Sequence, residues 1–329
     1  MEINLRGKAL LHMVQDKKKR RHSKRKKTIL EIGLIVIFLA LAGVGAYAGR
    51  IYYDVNHTAQ SVYKKKNKSI KNLRGQQAIH LDGQKPFSIL LLGTDTGALG
   101  RKEQGRTDSM ILATVNPQTK QTKMLSIARD SRVKIARTNK LAKINSAYEY
   151  GGVSNTINTV QNFLDVPVDY YVLLNMRGIE QLVSAVGGVK VNNRFTFNYE
   201  GKHFPKGVIY LNGSDALKYS RMRYSDPDND FGRQRRQQQI IQAVLRKAVS
   251  LNMLTHYNEF LTAMQDNLQT NLTLKDVLSI QKKYRKALNF QTLQLRGHGQ
   301  MIDGQSYQVM DANEVSAVTQ TLKQQLNLK

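Results

Sequence analysis

The sequence predicts an α/β fold, a central mixed β-sheet covered by helices on both faces and preceded by one N-terminal transmembrane helix. Three observations carry this. From Pro86 onward, short apolar runs bounded by Gly, Pro and polar turns recur, which is the pattern of buried strands. Segments with apolar residues at helical spacing alternate with them, and such interleaving implies a sheet with helices on its faces. Before both, an uncharged apolar stretch of 18 residues, Ile32–Gly49, follows a run of lysines and arginines. As a helix it would extend about 27 Å, close to a bilayer core of about 30 Å.

The 329-residue chain carries a net charge of +27, unevenly placed. Residues 1–28 contribute +9, mostly through KKKRRHSKRKK, and form a basic arm. Residues 29–49 are the predicted span. A cleaved signal peptide would have a shorter apolar core and a small-residue cleavage site, so an uncleaved anchor is the preferred reading. Basic residues before the span place the arm in the cytoplasm and everything after Arg50 outside the cell. Orientation and contact with anionic lipid account for the arm without nucleic acid. Residues 50–85, at +6, read as a basic extracellular stalk. The domain at 86–329 keeps +13 and would attract polyanions or an anionic lipid surface. With no cysteine, a disulfide framework and thiolate chemistry are excluded. The 244 residues of the domain suffice to bury a core of their own.

FSILLLG (Phe87–Gly93), SMILATVN (Ser109–Asn116) and KMLSIA (Lys123–Ala128) read as strands, with NPQTKQ as a hairpin turn between the last two. Asn145 stands as an N-cap before a helix through Val166. VDYYVLLN (Val168–Asn175) is a further strand, and RGIEQLVSAVGG (Arg177–Gly188) a helix closed by glycines. Helices are expected from Asn212 and across Phe231–Ser250, and NFQTLQL reads as a late strand.

The loop between the first two strands holds Asp95, Arg101, Lys102, Arg106 and Asp108. If those strands are antiparallel neighbours, Asp95 and Asp108 meet at one sheet edge, where ligands sit in α/β folds. Two carboxylates with threonine hydroxyls and water suit Mg²⁺, or Mn²⁺ in its place; two turn-capping aspartates are the alternative. Arg129 and Arg132 follow the third strand. Residues 221–236 then hold five arginines and no lysine, among Asp226, Asp228 and Asp230. Arginine forks grip phosphate oxygens, although internal Arg–Asp pairing would use the same residues. Arg221 and Arg223 would diverge on a helix, so a shared site needs a bend. Metal-binding carboxylates with convergent arginines make a phosphoryl-transfer toolkit. P-loop, HExxH and GxSxG motifs are absent. His203 and His298 read as turn residues.

ILLLGTDT, GRTDSMILATVNPQTK, LSIARDS, KINSAYEYGG, YYVLLNM with VSAVGGVKV, LNGSDALKYSRMR and DFGRQRRQQQII occur in this order across roughly residues 87–245. In these motifs the chain resembles the LytR-CpsA-Psr family of cell-wall ligases. The resemblance implies an anchored phosphotransferase that moves a glycopolymer, such as wall teichoic acid or capsular polysaccharide. The donor would be an undecaprenyl-pyrophosphate carrier and the acceptor a muramic-acid hydroxyl of peptidoglycan. It implies Asp95 and Asp108 as metal ligands, and Arg106, Arg129, Arg221 and Arg223 on the pyrophosphate. Lys143, Asn145, Asp230, Arg233, Arg236 and Gln237 would be secondary contacts, with Asp230 or Asp95 as the base. The lipid tail would need an apolar slot, sought between the sheet and helix Arg177–Gly187. Where the family usually reads SIPRD this chain has SIARD, and Ala128 lacks the fixed φ of proline. Two rival readings use the same residues: a pyrophosphatase acting on such lipids, and a non-enzymatic anchored regulator or polyanion-binding wall protein.

Overall fold

The computed structural model describes residues 49–50, 53, 57, 60–65, 69–75, 79–94, 105–250 and 267–328. The chain divides into two units, Met1–Asn56 and His57–Lys329, and the second contains the fold considered below. The predicted basic arm, nearly all of the predicted span, and Asp95, Arg101 and Lys102 lie outside the described residues. Among those described, no helix is long and apolar enough to cross a membrane.

Six strands make the central sheet, in the order β11-β6-β1-β2-β3-β12. They are β1 (Phe87–Thr94), β2 (Thr107–Asn116), β3 (Gln121–Ser126), β6 (Tyr170–Asn175), β11 (Leu268–Thr270) and β12 (Asn289–Gln294). The sheet is mixed: β2 runs antiparallel to β1 and β3, whereas β6 is parallel to β1 and β12 parallel to β3. Both faces of β1 are covered, which is why its sequence is nearly continuous in apolar residues. Leu90 and Leu92 join a core with Ile157, Val160 and Leu164 of α1 (Ser146–Leu164) and Leu322 of the helix Ala312–Gln325. On the other face Ile111, Ala113 and Met124 pack with Ile89, Leu91 and Ile241, the last from α4 (Asn229–Ser250).

The β2–β3 turn is the hairpin expected from NPQTKQ. Asn116 Oδ1 accepts from the backbone N–H groups of Gln118 and Thr119 at 2.9 and 3.1 Å, an Asx turn. Lys120 takes the left-handed conformation, with φ 55°.

A second core lies under α2 (Met176–Ala185), α3 (Gly213–Arg221) and the second half of α4. Two small sheets complete it, β7 (Val189–Asn193) with β10 (Gly207–Leu211) and β8 (Phe197–Tyr199) with β9 (Lys202–Phe204). Helix α2 is C-capped at Val186 and followed by Gly187 and Gly188, whose φ of 68° and 74° require glycine-like freedom. Two further hairpins, β4 (Arg132–Lys134) with β5 (Leu141–Lys143) and β13 (Gly297–Ile302) with β14 (Gln305–Met310), went unpredicted. They are too short or too polar to register as apolar runs.

Two expectations need correction. Asn145 does not cap α1: it is itself αR and its side chain makes no cap hydrogen bond. The helix is also interrupted at Gly151 and Gly152, both outside helical φ/ψ. Nor do the described residues of 60–85 form a detached stalk. Val62, Ile70 and Leu81 are buried, and the Arg74 fork donates to Asp169 Oδ1 and Oδ2 at 2.9 and 2.8 Å. Asp169 Oδ2 also accepts from the Ser88 backbone N–H at 2.8 Å, tying the segment to the start of β1. Both side chains are under 10% exposed. Breaking such a buried pair costs about 3–5 kcal/mol, so Arg74→Ala should lower the denaturant midpoint of His57–Lys329 by a corresponding amount. An unchanged midpoint would mean the segment is not integral to the fold.

Candidate active site

The site is built at the end of the sheet where β1 leaves and β2 begins. Between them the register slips: Gly93 faces Ser109 and Thr94 faces Thr107, so Asp108 is the extra residue of a β-bulge. A bulge re-aims a side chain, and here the Asp108 carboxylate turns toward the loop after β3. Arg129 Nη1 donates to Asp108 Oδ1 at 2.7 Å.

That loop is stiff despite Ala128. Ser131 donates to Ala128 O through both its backbone N–H (3.0 Å) and its hydroxyl (2.6 Å). Ile144 N–H and Asn145 N–H close on Ser131 O and Arg129 O at 2.8 and 3.2 Å. Hydrogen bonds thus supply the restraint that the missing proline ring would have given.

The first turn of α4 brings the remaining charges. Arg233 Nη2 lies 2.7 Å from Asp230 Oδ1, and Arg223 Nε reaches the same oxygen at 3.6 Å. Gln234 Nε2 donates to Asp230 Oδ2 at 3.0 Å. Arg233 Nη2 also approaches the Asp108 carbonyl at 3.4 Å, joining α4 to the bulge. On the far side Asp130 stands 3.8 Å from Arg129 Nε and 3.6 Å from Lys143 Nζ. At the start of β2, Arg106 Nε donates to Glu149 Oε2 at 2.8 Å.

Burial opposes the charge on Arg129, but Asp108, by charge and hydrogen bond, and then Asp130 and Asp230, hold its pKa above the ordinary value. For Arg233 burial wins: with 8% exposure and Arg129 and Arg223 as cationic neighbours, its pKa is lowered despite Asp230 and Asp108. Two guanidinium groups are therefore held close together in a half-dry site. The nearby carboxylates nearly balance the cations, so net charge is not what marks this place. Unmet polar atoms mark it: the Nε–H groups of Arg129 and Arg233 are buried without a hydrogen-bond partner, and so are the acceptors Asp230 Oδ1, Gln234 Oε1 and Asn145 Oδ1. Buried groups of this kind are rare and fit a place that receives water or a ligand. An anion with several oxygens would satisfy both donors.

Among the described residues no three His, Cys, Asp or Glu side chains converge as a metal cage. The donors that are present suit a less enclosed ion. Asp108 uses Oδ1 for Arg129, and the Thr107 hydroxyl is buried without a partner. One carboxylate and a hydroxyl, completed by water and phosphate oxygens, fit Mg²⁺.

Residues 50–324 match the model of the LytR_cpsA_psr family. The chain is a member of that family. Over 297 residues this LytR_cpsA_psr protein is 46% identical to the polyisoprenyl-teichoic acid–peptidoglycan teichoic acid transferase TagU of Enterococcus faecalis V583, covering 90% of this chain and 95% of that one. It is 40% identical to the crystal structure of Bacillus subtilis TagU, with a TM-score of 0.62 over 75% of this chain and 99% of the other. TagT bound to LIIa-WTA aligns at 30% identity with a TM-score of 0.69, over 81% of this chain and all of that one.

The LytR_cpsA_psr member brings together Asp108, Arg129, Arg223, Asp230 and Arg233, with Lys143 joined through Asp130 and Arg106 beside them. Asn145 lies at the same loop, 4% exposed, with its Oδ1 unpartnered. Gln237 is half-buried one helical turn beyond Arg233 and shares its helix face. Two predicted binders are elsewhere. Helix α3 ends at Arg221, and Met222 turns extended (φ −57°, ψ 134°), so Arg221 and Arg223 part company. Arg221 pairs with Glu200 at 3.6 Å on the β8–β9 turn. Arg236 is 4% exposed and spent on the chain itself. Its Nε donates to Tyr219 O at 2.9 Å, while its terminal nitrogens bond Asp226 and Met222 O. Internal Arg–Asp pairing, the alternative reading of the arginine run, describes Arg236. Sequence reasoning missed Asp130 and Glu149, acids that hold Lys143 and Arg106; Asp130 adjoins Arg129 and could have been found there. His203 and His298 sit on β9 and β13, His203 bonded to Asn198 at 2.7 Å.

Proposed function

We propose that this chain is a phosphotransferase that moves a teichoic-acid-type glycopolymer from a polyprenyl-diphosphate carrier to a peptidoglycan hydroxyl. Its family membership and the transferase names of its relatives support the reaction class. The observation that carries it to particular residues is the pair of orphaned Nε–H donors on Arg129 and Arg233, next to Asp108.

In this reading Arg129 and Arg233 grip the diphosphate oxygens, and Arg223 adds charge from the rim. Asp230 and Asp108 aim the guanidinium groups. The acceptor oxygen attacks the phosphorus that bears the glycan. A new P–O bond forms there, the bridging P–O bond to the lipid phosphate breaks, and the hydroxyl proton passes to a base, for which Asp230 and Asp95 are the candidates. The departing polyprenyl phosphate gains negative charge as this happens, and fixed guanidinium groups stabilise such charge without reorganising. Asp108, Thr107 and Asp95 would hold Mg²⁺, which when bound supplies further neutralisation of the diphosphate. The apolar segment 29–49 would anchor the chain, with the domain outside the cell beside the membrane-bound donor.

The test uses the full chain in vesicles with Mg²⁺, a lipid-diphosphate glycan and peptidoglycan. Covalent conjugate is expected, and EDTA should abolish it, with Mg²⁺ or Mn²⁺ restoring it. Phosphate release without conjugate, whatever the acceptor concentration, would replace the transferase with a pyrophosphatase.

A further inference from the structure

The β4–β5 hairpin places like charges opposite one another. Residues 131–143 hold Arg132, Lys134, Arg137, Lys140 and Lys143 and no acid. Arg132 pairs across the strands with Lys143, and Lys134 with Leu141. Val133 and Ala142 turn to the main core, so Arg132, Lys134 and Lys143 share the outward face with Leu141, itself 54% exposed. Directly opposed like charges destabilise a strand pair. Two things temper the repulsion. The Tyr307 ring of β14 lies 5.9 Å from the Arg132 guanidinium and 5.7 Å from Lys143 Nζ, and Asp130 stands 3.6 Å from Lys143. Among the described residues no carboxylate pairs with Arg132 or Lys134.

The hairpin is also rigid. Ile135 N–H donates to Lys140 O at 2.9 Å and Asn139 N–H to Ile135 O at 2.8 Å. Its inner end is continuous with the site, because Lys143 and Arg129 share Asp130. Arg132 and Lys134 are two residues apart, about 7 Å along the strand. A row of cations therefore starts at the diphosphate site and leads away from it.

We propose that this outward face is a second anion site, a track for successive phosphodiesters of the polyanionic chain attached to the carrier diphosphate. The identity of the polyanion rests on the transferase reading; the cationic row does not. A chain fixed by its diphosphate must leave the site, and beyond the Lys143–Asp130 pair this face offers it Arg132 and Lys134 with a single exposed apolar side chain, too little to insert in a membrane.

The experiment compares wild type with Arg132→Gln/Lys134→Gln in the full chain. Lys134 is exposed and Arg132 half-buried, and neither has a carboxylate partner among the described residues, so the fold should be retained, and a thermal melt checks this. Anisotropy of a labelled glycerol-phosphate oligomer, without lipid, reads binding directly. The double variant should bind about tenfold more weakly, with a log–log salt dependence shallower by roughly 1–1.5, as expected for two lost phosphate contacts. In transfer assays its KM should rise for a donor carrying the polymer and stay unchanged for a lipid-diphosphate disaccharide, with kcat unchanged for both. Equal oligomer binding by the two proteins would overturn the track. So would an equal loss on the disaccharide donor, or a loss seen only with phosphatidylglycerol vesicles, which would reassign the face to lipid. If wild type transfers neither donor, the transferase reading fails, and the anisotropy comparison still decides the track.

Discussion

Replacing Arg129 with alanine is expected to lower kcat for polymer transfer by about 10²–10³, the loss found when one fixed donor to a developing negative charge is removed. Arg129 connects three parts of the site. It bonds Asp108 on the bulge, its backbone carbonyl receives the Asn145 N–H, and its Nε–H is one of the two orphaned donors. Arg129→Lys keeps the charge but not the planar fork, and should recover only a small part of the rate. The side chain is partly exposed, so the thermal midpoint should move little in either variant. Single-turnover transfer assays, with melting curves as control, check this. Full activity in Arg129→Ala would remove the diphosphate from this place.

The largest stability effect is expected at Arg236. Its guanidinium ties Asp226, Tyr219 O and Met222 O together, and lies 5.5 and 5.7 Å from the Phe197 and Tyr219 rings. With side-chain exposures of 5% for Arg236 and 1% for Asp226, truncation leaves a buried carboxylate without its cation. Arg236→Ala should therefore cost about 3–5 kcal/mol, a fall in Tm of roughly 10 °C for a domain of this size. Any loss of transfer should follow the fraction unfolded. The opposite pattern, an unchanged Tm with weakened diphosphate binding, would return Arg236 to the substrate site. Gly232 belongs to the same device: a Cβ there would meet the Asp226 carboxylate, so even alanine should disturb the pair.

These two arginines show how far a sequence can be read. Both lie in motifs rich in Arg and Asp, and nothing in composition or spacing distinguishes them. Arg129 reaches the site because its loop leaves β3 next to the β2 bulge. Arg236 is three residues beyond Arg233, but the packing of α4 on α3 carries it into the second core. The bend at Met222 likewise separates Arg221 from Arg223. Tyr307 is more distant still: it meets Lys143 only because β14 bridges to the Asp130–Ser131 segment, through Gln308 N–H to Asp130 O at 2.9 Å. No local signal could have indicated that contact.

By itself the sequence determined the main strands and helices of the sheet, the hairpin turn, and the stretch of chain in which each charged group would be found. These are local matters, governed by periodicity, turn chemistry and the identity of a few residues. Only the tertiary structure decided which charges share a site and which merely hold the fold, and that residues near 62–81 belong to the domain. The reason is physical. Burial and partnership give a guanidinium its role, and both come from segments far apart in the chain.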